Sequence, residues 1–269
     1  LGLFNKASGI GSYATGRNST ASGDYSNSSG FFSFASGSYS SAEGSNTNAI
    51  GVGSHAEGIL TIASGSMAHA EGSTTKAYGD YSHAEGFFTS ASGIFSHAEG
   101  NGTIALGPSS HAEGGATIAS GQYSHAEGNS TIALGQSSHA EGNTTIASGS
   151  YQHVMGVYNI PDTSSLFIIG NGIFNARSNI LVAKTGSIEI SGSLYISQSI
   201  FDSNNSNGTN GQVLTSTVSG SKWTSFSSII NSGSISGSWT INTLEFIIGD
   251  GQSFTPLSGS TQFNPSPNP

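Results

Sequence analysis

The chain has 269 residues and a formal net charge of −9 at pH 7, and 39 residues are glycine while only 8% are charged. Six lysines and arginines cannot form the basic surface that phosphate binding requires, so no nucleic-acid partner is expected. The absence of cysteine excludes disulfides and thiolate metal sites, and no apolar run reaches the ~18 residues of a transmembrane helix. Because the chain begins at Leu1 rather than at methionine, we expect a processed product or part of a longer protein.

Glycine recurs at every seventh position from Gly2 to Gly156 without a miss, and alanine lies two residues before nearly every one of these glycines. Beyond residue 50 the unit doubles, because a half similar to Thr-Ile-Ala-Ser-Gly alternates with a His-Ala-Glu-Gly half. A glycine in every two turns would weaken a helix by ~1 kcal/mol each time, whereas short strands joined by turns tolerate it. The repeat therefore predicts an all-β parallel solenoid with 14-residue coils over residues 1–156.

Alternation along each short strand sorts the side chains into an inner and an outer set. The residues two and four positions before glycine are Ala, Ser and Thr, which predicts a very thin interior between two sheets. One half of the coil carries isoleucine on the outer set in several of the repeats, and a soluble monomer rarely exposes such a stripe. We therefore predict a homotrimer whose axis runs parallel to the rod, with these contact candidates: Ile62, Ile104, Ile118, Ile132 and Ile146.

The other half of each coil places histidine and glutamate on its outer face. We predict that these side chains form a structural ladder, because coils ~4.8 Å apart would let a histidine of one coil relieve the repulsion between stacked glutamates. Binding of a divalent metal or of a ligand is the alternative use of the same residues, and the face at the trimer axis is left open, with isoleucine favoured. The ladder residues are His55, Glu57, His69, Glu71, His83, Glu85, His97, Glu99, His111, Glu113, His125, Glu127, His139 and Glu141.

No catalytic residue, metal or cofactor is predicted. Serine, histidine and acidic residues are abundant, but a catalytic triad needs one set held apart in a pocket, and the repeat offers identical copies. An enzyme such as a polysaccharide depolymerase is therefore disfavoured. An ice-binding surface is disfavoured too, because its threonines would have to be exposed and ours lie four residues before glycine, on the inner set.

The seven-residue glycine repeat ends at residue 156, and Pro161 with Asp162 marks a turn shortly after it. We predict a β-rich transition over 157–201, a linker or loop over 202–211, and a smaller β-rich region over 212–269 with a disordered or truncated tail. The predicted strands cover 166–169, 180–183, 187–199, a hairpin of 212–215 with 221–224, and two more strands within 228–250 around Trp239.

The x-Ser-x-Ala-x-Gly pattern with its seven-residue echo resembles the head repeats of trimeric autotransporter adhesins. The form Tyr-Ser-His-Ala-Glu-Gly-x-x-Thr-x-Ala-Ser-Gly is still more similar to repeats of bacteriophage neck-appendage and tail-fibre proteins. The resemblance covers about residues 5–190 and includes the segments 151–159, 168–172 and 177–179. It implies a left-handed, homotrimeric, parallel β-roll, and in the phage proteins the later segments lead into a region related to self-cleaving chaperone domains.

The resemblance also implies an extracellular function. We expect a structural attachment fibre, favoured as a phage or virus appendage that presents a receptor-binding tip, with a bacterial adhesin head as the alternative. The expected partners are two further copies of the chain, a cell-surface receptor or glycan, and other virion or fibre proteins. The residues that bind a ligand are not assigned.

Overall fold

The computed structural model describes residues 3–196, 200–209, 212–217, 220–225, 246–248 and 252–254. The chain divides into two units, Leu1–Leu194 and Tyr195–Pro269. Strands and turns make up the described part of both units, and none of it is an α-helix, so the predicted all-β class is confirmed. No helix long and apolar enough to cross a membrane occurs among these residues.

The repeat folds into alternating two-residue strands and longer strands. In chain order they are β1 (Lys6–Ala7), β2 (Tyr13–Arg17), β3 (Thr20–Ala21), β4 (Asn27–Phe31), β5 (Phe34–Ala35), β6 (Ser41–Ser45), β7 (Asn48–Ala49), β8 (His55–Ile59), β9 (Ile62–Ala63), β10 (His69–Ser73), β11 (Lys76–Ala77), β12 (His83–Phe87), β13 (Ser90–Ala91), β14 (His97–Asn101), β15 (Ile104–Ala105), β16 (His111–Ala112), β17 (Ile118–Ala119), β18 (His125–Ala126), β19 (Ile132–Ala133), β20 (His139–Ala140), β21 (Ile146–Ala147) and β22 (His153–Val157).

Two sheets result, and every neighbouring pair of these strands is parallel. The odd-numbered strands β1 to β21 form an 11-stranded sheet, which we call sheet A, and the even-numbered strands belong to a 14-stranded sheet, which we call sheet B. Each residue pairs with the residue 14 positions later, as Ile118 does with Ile132 in sheet A and His69 with His83 in sheet B. The solenoid with 14-residue coils is thus confirmed.

Small side chains fill the space between the sheets. Alanines such as Ala70 and Ala77 are completely buried, and so are the threonines four residues before glycine, such as Thr75 and Thr131. The buried serine that opens the other half-coil donates its hydroxyl to the carbonyl of the preceding glycine, as Ser82 does to Gly79 at 2.6 Å. The predicted thin interior is confirmed, and the buried threonines cannot form the exposed face that ice binding would need.

The glycines form two columns, and in both of them the backbone of one coil lies directly against the next. A Cβ added to Gly121 in the first column would lie 1.9 Å from the carbonyl oxygen of Gly135, and one added to Gly128 in the second column would lie 2.2 Å from that of Gly142. Only the second column has positive φ, for example +100° at Gly128. In the first column, glycine is therefore needed for the close approach of coils, and in the second column both for that approach and for its φ.

The corners themselves contain non-glycine residues in the left-handed conformation. They include Tyr123, Ser130, Ser137 and Thr144, with φ between 52° and 57°. This conformation normally costs ~1–2 kcal/mol per residue. The amide of each corner residue compensates by donating to the previous coil, as the amide of Tyr123 does to the carbonyl of Pro108 at 3.0 Å.

Sheet B continues past the last glycine of the sequence repeat. It adds β23 (Ser165–Asn171), β24 (Asn179–Lys184) and β25 (Ser187–Ile190). Strand β23 is parallel to β22 and keeps the 14-residue register, so that Ile168 pairs with Val154 and is fully buried beside it. Strand β24 pairs antiparallel with β23, and β25 pairs antiparallel with β24, so the parallel stacking of coils ends at β23.

Two of the three strands predicted in this transition are confirmed, and the third is shorter than expected. The strand predicted over 187–199 ends at Ile190, and residues 191–196 form no strand. Gly192 has a φ of +136°, a backbone conformation that favours glycine and that a regular strand does not use. Residues 197–199 lie outside the described residues.

The last edge of sheet A is covered by side-chain amides. Asn159 accepts from the amide of Ile146 at 2.8 Å and donates to the carbonyl of the same residue at 3.1 Å, as a paired strand would. Gln152 accepts from the amides of Ser148 and Gly149, and it donates to the carbonyls of Asp162 and Ser165. We call Gln152 and Asn159 the amide cap. Both side chains are fully buried, so their polar groups replace the backbone groups of the missing coil.

Asp162 fixes the turn that follows the amide cap, and it predicts a pH dependence. Hydrogen bonds from the Ser165 hydroxyl and from the amide and hydroxyl of Ser164 lower the pKa of Asp162 from 3.8 to about 2. A depressed carboxyl pKa adds stability above pH 3.8 that is lost as the pH falls through about 2. We expect Asp162→Asn to lower the free energy of unfolding at pH 6 by roughly 1 kcal/mol, since solvent screens this turn.

The measurement is the thermal midpoint of both proteins across the acid range. The difference between the native chain and Asp162→Asn should be largest near neutral pH and should vanish near pH 2. A difference that is the same at pH 6 and pH 2 would contradict the assigned hydrogen bonds to the ionised carboxylate.

The second unit contains two antiparallel pairs in its described part. Strand β26 (Gln212–Thr217) pairs with β27 (Gly220–Ser225), which confirms the predicted hairpin, and β28 (Phe246–Ile248) pairs with β29 (Gln252–Phe254). Of the strands predicted within 228–250, only 246–248 is described. Trp239 and the predicted tail lie outside the described residues, and the division into 1–156, 157–201, 202–211 and 212–269 remains a prediction.

Candidate functional site

The histidines and glutamates form one continuous ladder on the outer face of sheet B. The parallel pairing with a 14-residue offset places His69 beside His83 and Glu71 beside Glu85. Alanine between them points into the interior, because successive residues of a strand face opposite sides. The His-Ala-Glu sequence therefore puts one imidazole and one carboxylate outside on each coil that carries it, from His55 to Glu141.

The eight imidazole rings stack face to face from His55 to His153. Neighbouring ring centroids are 4.6–4.9 Å apart, and the rings stay within 12° of parallel until the last pair, His139 and His153, at 26°. The edge-to-face contact of His153 with Phe167 ends the stack at 5.5 Å. The spacing of the rings is the spacing of the coils.

Three histidines hydrogen-bond to the glutamate of the preceding coil. We call these three pairs the paired ladder. The distances between Nε2 and the carboxylate Oε1 are 3.2, 3.1 and 3.0 Å, respectively, for the pairs Glu99–His111, Glu113–His125 and Glu127–His139. A carboxylate only accepts hydrogen bonds, so each of these Nε2 atoms carries the proton.

The earlier coils lack this pairing. The Nε2 atoms of His55, His69 and His83 are buried and have no hydrogen-bond partner among the described residues. The nearest carboxylate oxygen is 3.9 Å away from His55 and 3.8 Å away from His69, and in both cases it belongs to the same coil. We call Glu57, His69, Glu71, His83 and Glu85 the open ladder.

The surroundings of His69 keep its imidazole neutral. Burial, followed by the neighbouring His83 and His55, lowers the pKa of His69, and this outweighs the opposite effect of Glu71 and Glu57. A neutral imidazole has one nitrogen with a free lone pair, which can accept a hydrogen bond or bind a metal ion.

Several groups of three ladder residues bring their ligand atoms close together. In the open ladder, Glu57, His69 and Glu71 have ligand atoms within 4.8 Å of one another, and so do Glu71, His83 and Glu85. In the later coils the corresponding groups contain two histidines and one glutamate, such as His97, Glu99 and His111. The structure therefore brings the predicted ladder residues together, and their role remains a proposal.

The isoleucines line the outer face of sheet A. Four of the five predicted contact residues are in adjacent register, and each is half-buried in the single chain: Ile104, Ile118, Ile132 and Ile146. Ile62 lies apart from them, because Lys76 and Ser90 occupy the two coils between. Leu106 and Leu134 lie on the same face one residue before glycine, and they are 48% and 49% exposed. We call the four adjacent isoleucines with these two leucines the apolar column.

Exposed aromatic residues occur at the corners, and sequence analysis did not identify them as a separate surface. Phe87 contacts Phe88, and Phe31 contacts Phe32, with ring centroids 4.3 and 4.5 Å apart. Both pairs are exposed to solvent. The two phenylalanine pairs occupy the same two positions of the repeat four coils apart, and Ile59 and Leu60 occupy these positions halfway between them. This recurrence of large apolar residues is the signal in the sequence that would have revealed the surface.

The amide cap was missed as well, although Gln152 interrupts a column of serines at the same position of every second half-coil. This substitution by a longer amide side chain, followed seven residues later by Asn159, is a signal for the end of sheet A. The role of these two residues can be inferred only when it is known which backbone groups at the last strand of sheet A lack partners.

The chain is similar in sequence to the YadA head domain repeat. A two-copy model of that family matches residues 7–26, 84–110, 98–124, 112–138 and 126–151. The last four matches begin 14 residues apart, which is the length of one coil of the structure. No curated protein matches the chain.

These matches and the solenoid agree on the type of repeat. Residues 7–26 and 84–151 are similar to this adhesin head repeat, and these residues lie in the parallel solenoid of the structure. The repeats indicate an attachment fibre of the adhesin type. The more specific resemblance to phage fibre proteins stays a prediction.

Proposed function

We propose that the chain is the rod of a homotrimeric, extracellular attachment fibre in which the apolar column of each copy lies at the trimer axis. The observation that carries this proposal is the continuous run of half-exposed isoleucine from Ile104 to Ile146 on sheet A. Each isoleucine that becomes fully buried contributes ~1–3 kcal/mol, and four consecutive coils contribute in each of three copies.

Charge favours sheet A over sheet B as the axial face. An axis lined by sheet B would bring the glutamate columns of three chains together, and buried carboxylates without partners are costly. Sheet A between Ile104 and Leu134 presents isoleucine, leucine and serine at the outward positions. With sheet A at the axis, the histidine and glutamate ladder faces solvent, where it stabilises the stack of coils through the pairs of the paired ladder.

The oligomeric state tests the proposed assembly directly. Native mass spectrometry or light scattering of the full chain should give three times the 27.1 kDa of one copy. A stable monomer at micromolar concentration would contradict the proposal, and a dimer would contradict the assigned symmetry.

For the biological context, we propose an appendage of a phage or virus particle. The support is the continuation of the chain from the solenoid into the antiparallel hairpins β26–β27 and β28–β29, which suits a β-rich tip that binds a cell-surface receptor or glycan. Other fibre or virion proteins are the further expected partners. The bacterial adhesin head is the second candidate, and the match to the YadA head domain repeat favours it.

Electron microscopy with a gold-labelled antibody against the full chain separates the two contexts. Labelling at the appendages of purified particles would support the phage fibre, and labelling on intact bacterial surfaces would support the adhesin. Labelling confined to the cell interior would contradict both.

A further inference from the structure

The ladder on sheet B contains two chemically different kinds of histidine. Those of the paired ladder are hydrogen-bonded, whereas the Nε2 atoms of His55, His69, His83, His97 and His153 are buried without a partner. In the paired ladder, each Nε2 is occupied by a hydrogen bond to a carboxylate at 3.0–3.2 Å. In the open ladder, the Nε2 atoms of His69 and His83 are buried without a partner. A buried polar atom that lacks a partner lowers the stability of the fold by ~1–3 kcal/mol. A ligand that supplied the missing partner would therefore stabilise the open ladder.

We propose that the open ladder is a binding site for one divalent transition-metal ion of the Zn²⁺ class. Either His69 with Glu57 and Glu71, or His83 with Glu71 and Glu85, supplies one imidazole nitrogen and two carboxylate oxygens. The two groups share Glu71, and two ions one coil apart would be only ~4.8 Å from each other, so these five residues hold one ion. A third group, Glu43, His55 and Glu57, adjoins them, but Glu43 is exposed and already accepts a hydrogen bond from the Ser41 hydroxyl at 3.0 Å. One ion per chain is therefore expected.

The distances are compatible with this coordination after small movements. The ligand atoms of each group lie within 4.8 Å of one another, whereas two nitrogen or oxygen ligands of one tetrahedral zinc ion are about 3.3–3.6 Å apart. The side chains of Glu57 and Glu71 are 43% and 34% exposed, so rotation of surface carboxylates can close the difference. Water fills the remaining coordination position.

The donor set selects the class of metal. Imidazole together with carboxylate suits Zn²⁺ and its neighbours, whereas Mg²⁺ and Ca²⁺ prefer oxygen ligands alone. The ion would also neutralise part of the column of glutamates. The paired ladder is the poorer site, because each of its Nε2 atoms donates its proton to a glutamate carboxylate, so a metal ion that used Nε2 and that carboxylate would have to displace the proton and break the hydrogen bond.

The test is a calorimetric titration of the untagged full chain with Zn²⁺ at pH 7.5. We expect one ion per chain, and we expect the double variant His69→Gln/His83→Gln to bind at least about 10-fold more weakly. The matched control is His125→Gln/His139→Gln, which removes the same two imidazoles from the paired ladder and should keep the native affinity. Circular dichroism and the thermal midpoint establish that each variant is folded, and Glu71→Gln replaces the first double variant if that one is not.

Three results would overturn the proposal. They are the absence of saturable Zn²⁺ binding, an equal loss of affinity in both double variants, and binding of Mg²⁺ with the affinity of Zn²⁺. The second result would mean that zinc binds anywhere along the histidines, and the third that the glutamates alone attract cations. Visible absorption bands of bound Co²⁺ that disappear only in the open-ladder variant would support the assigned imidazole ligand.

Discussion

Replacing Gly121 with alanine is expected to lower the free energy of unfolding by about 3 kcal/mol or more, which is at the upper end for overpacking. The added methyl group would lie 1.9 Å from the carbonyl oxygen of Gly135 and 2.9 Å from that of Leu134. Both are backbone atoms of the next coil, so no side chain can move aside. The two coils must separate, which breaks the hydrogen bonds that connect them. Thermal melting and resistance to protease measure the effect.

The chain offers a matched control in Gly102→Ala. An added Cβ at Gly102 has its nearest neighbour, the Cα of Ala116, 4.0 Å away, and Ala116 itself occupies the equivalent corner of the next coil with a φ of 54°. We expect a loss of no more than ~1 kcal/mol there. Equal losses at Gly102 and Gly121 would contradict the account of close coil contact, because only Gly121 has backbone atoms of the next coil in the way.

Replacing Ile132 with glutamate is expected to dissociate the trimer into monomers at micromolar concentration. Ile132 lies in register between Ile118 and Ile146, so its substitution would place three carboxylates in the middle of the apolar column around the axis. The lost burial amounts to ~1–3 kcal/mol per copy, and the cost of burying the charges is added to it. Size-exclusion chromatography with light scattering reports the mass.

Phe87→Glu is the control for an added charge at an exposed apolar residue. Phe87 ends strand β12 of sheet B and is 47% exposed, so the trimer should survive this change. If Ile132→Glu remains trimeric while Phe87→Glu does not, sheet B lies at the axis and the arrangement is the reverse of the one proposed. If both remain trimeric, neither face carries the assembly.

The sequence predicts most of the solenoid, because periodicity determines which side chains share a face. Glycine every seventh residue and alanine two positions earlier identify the two sheets and the thin interior, as Ala70 and Thr75 confirm. The parallel register follows from the same repeat, since only an offset of 14 residues aligns His69 with His83.

The features that sequence analysis missed depend on relations between coils. Identical His-Ala-Glu units predict identical rungs, yet Nε2 of His125 has a carboxylate oxygen at 3.1 Å and Nε2 of His69 has none nearer than 3.8 Å. The carboxylate nearest to His125 belongs to the preceding coil and the one nearest to His69 to the same coil, and no pattern of residue types contains this difference. The left-handed corner at Tyr123 was missed for a related reason, because a tyrosine gives no local signal for a conformation that hydrogen bonds between coils impose.

The buried amides of Gln152 and Asn159 bear on how far such a rod can grow. A stack of parallel rungs is a template for its own extension, and an uncovered terminal edge invites end-to-end joining of separate molecules or growth into fibrils. Here the side-chain amides hydrogen-bond to the backbone amide and carbonyl of Ile146 and to the backbone amides of Ser148 and Gly149. A strand of another molecule therefore cannot pair with these groups. The length of the solenoid is then determined by the number of repeats in the chain, because the capped edge does not add further strands.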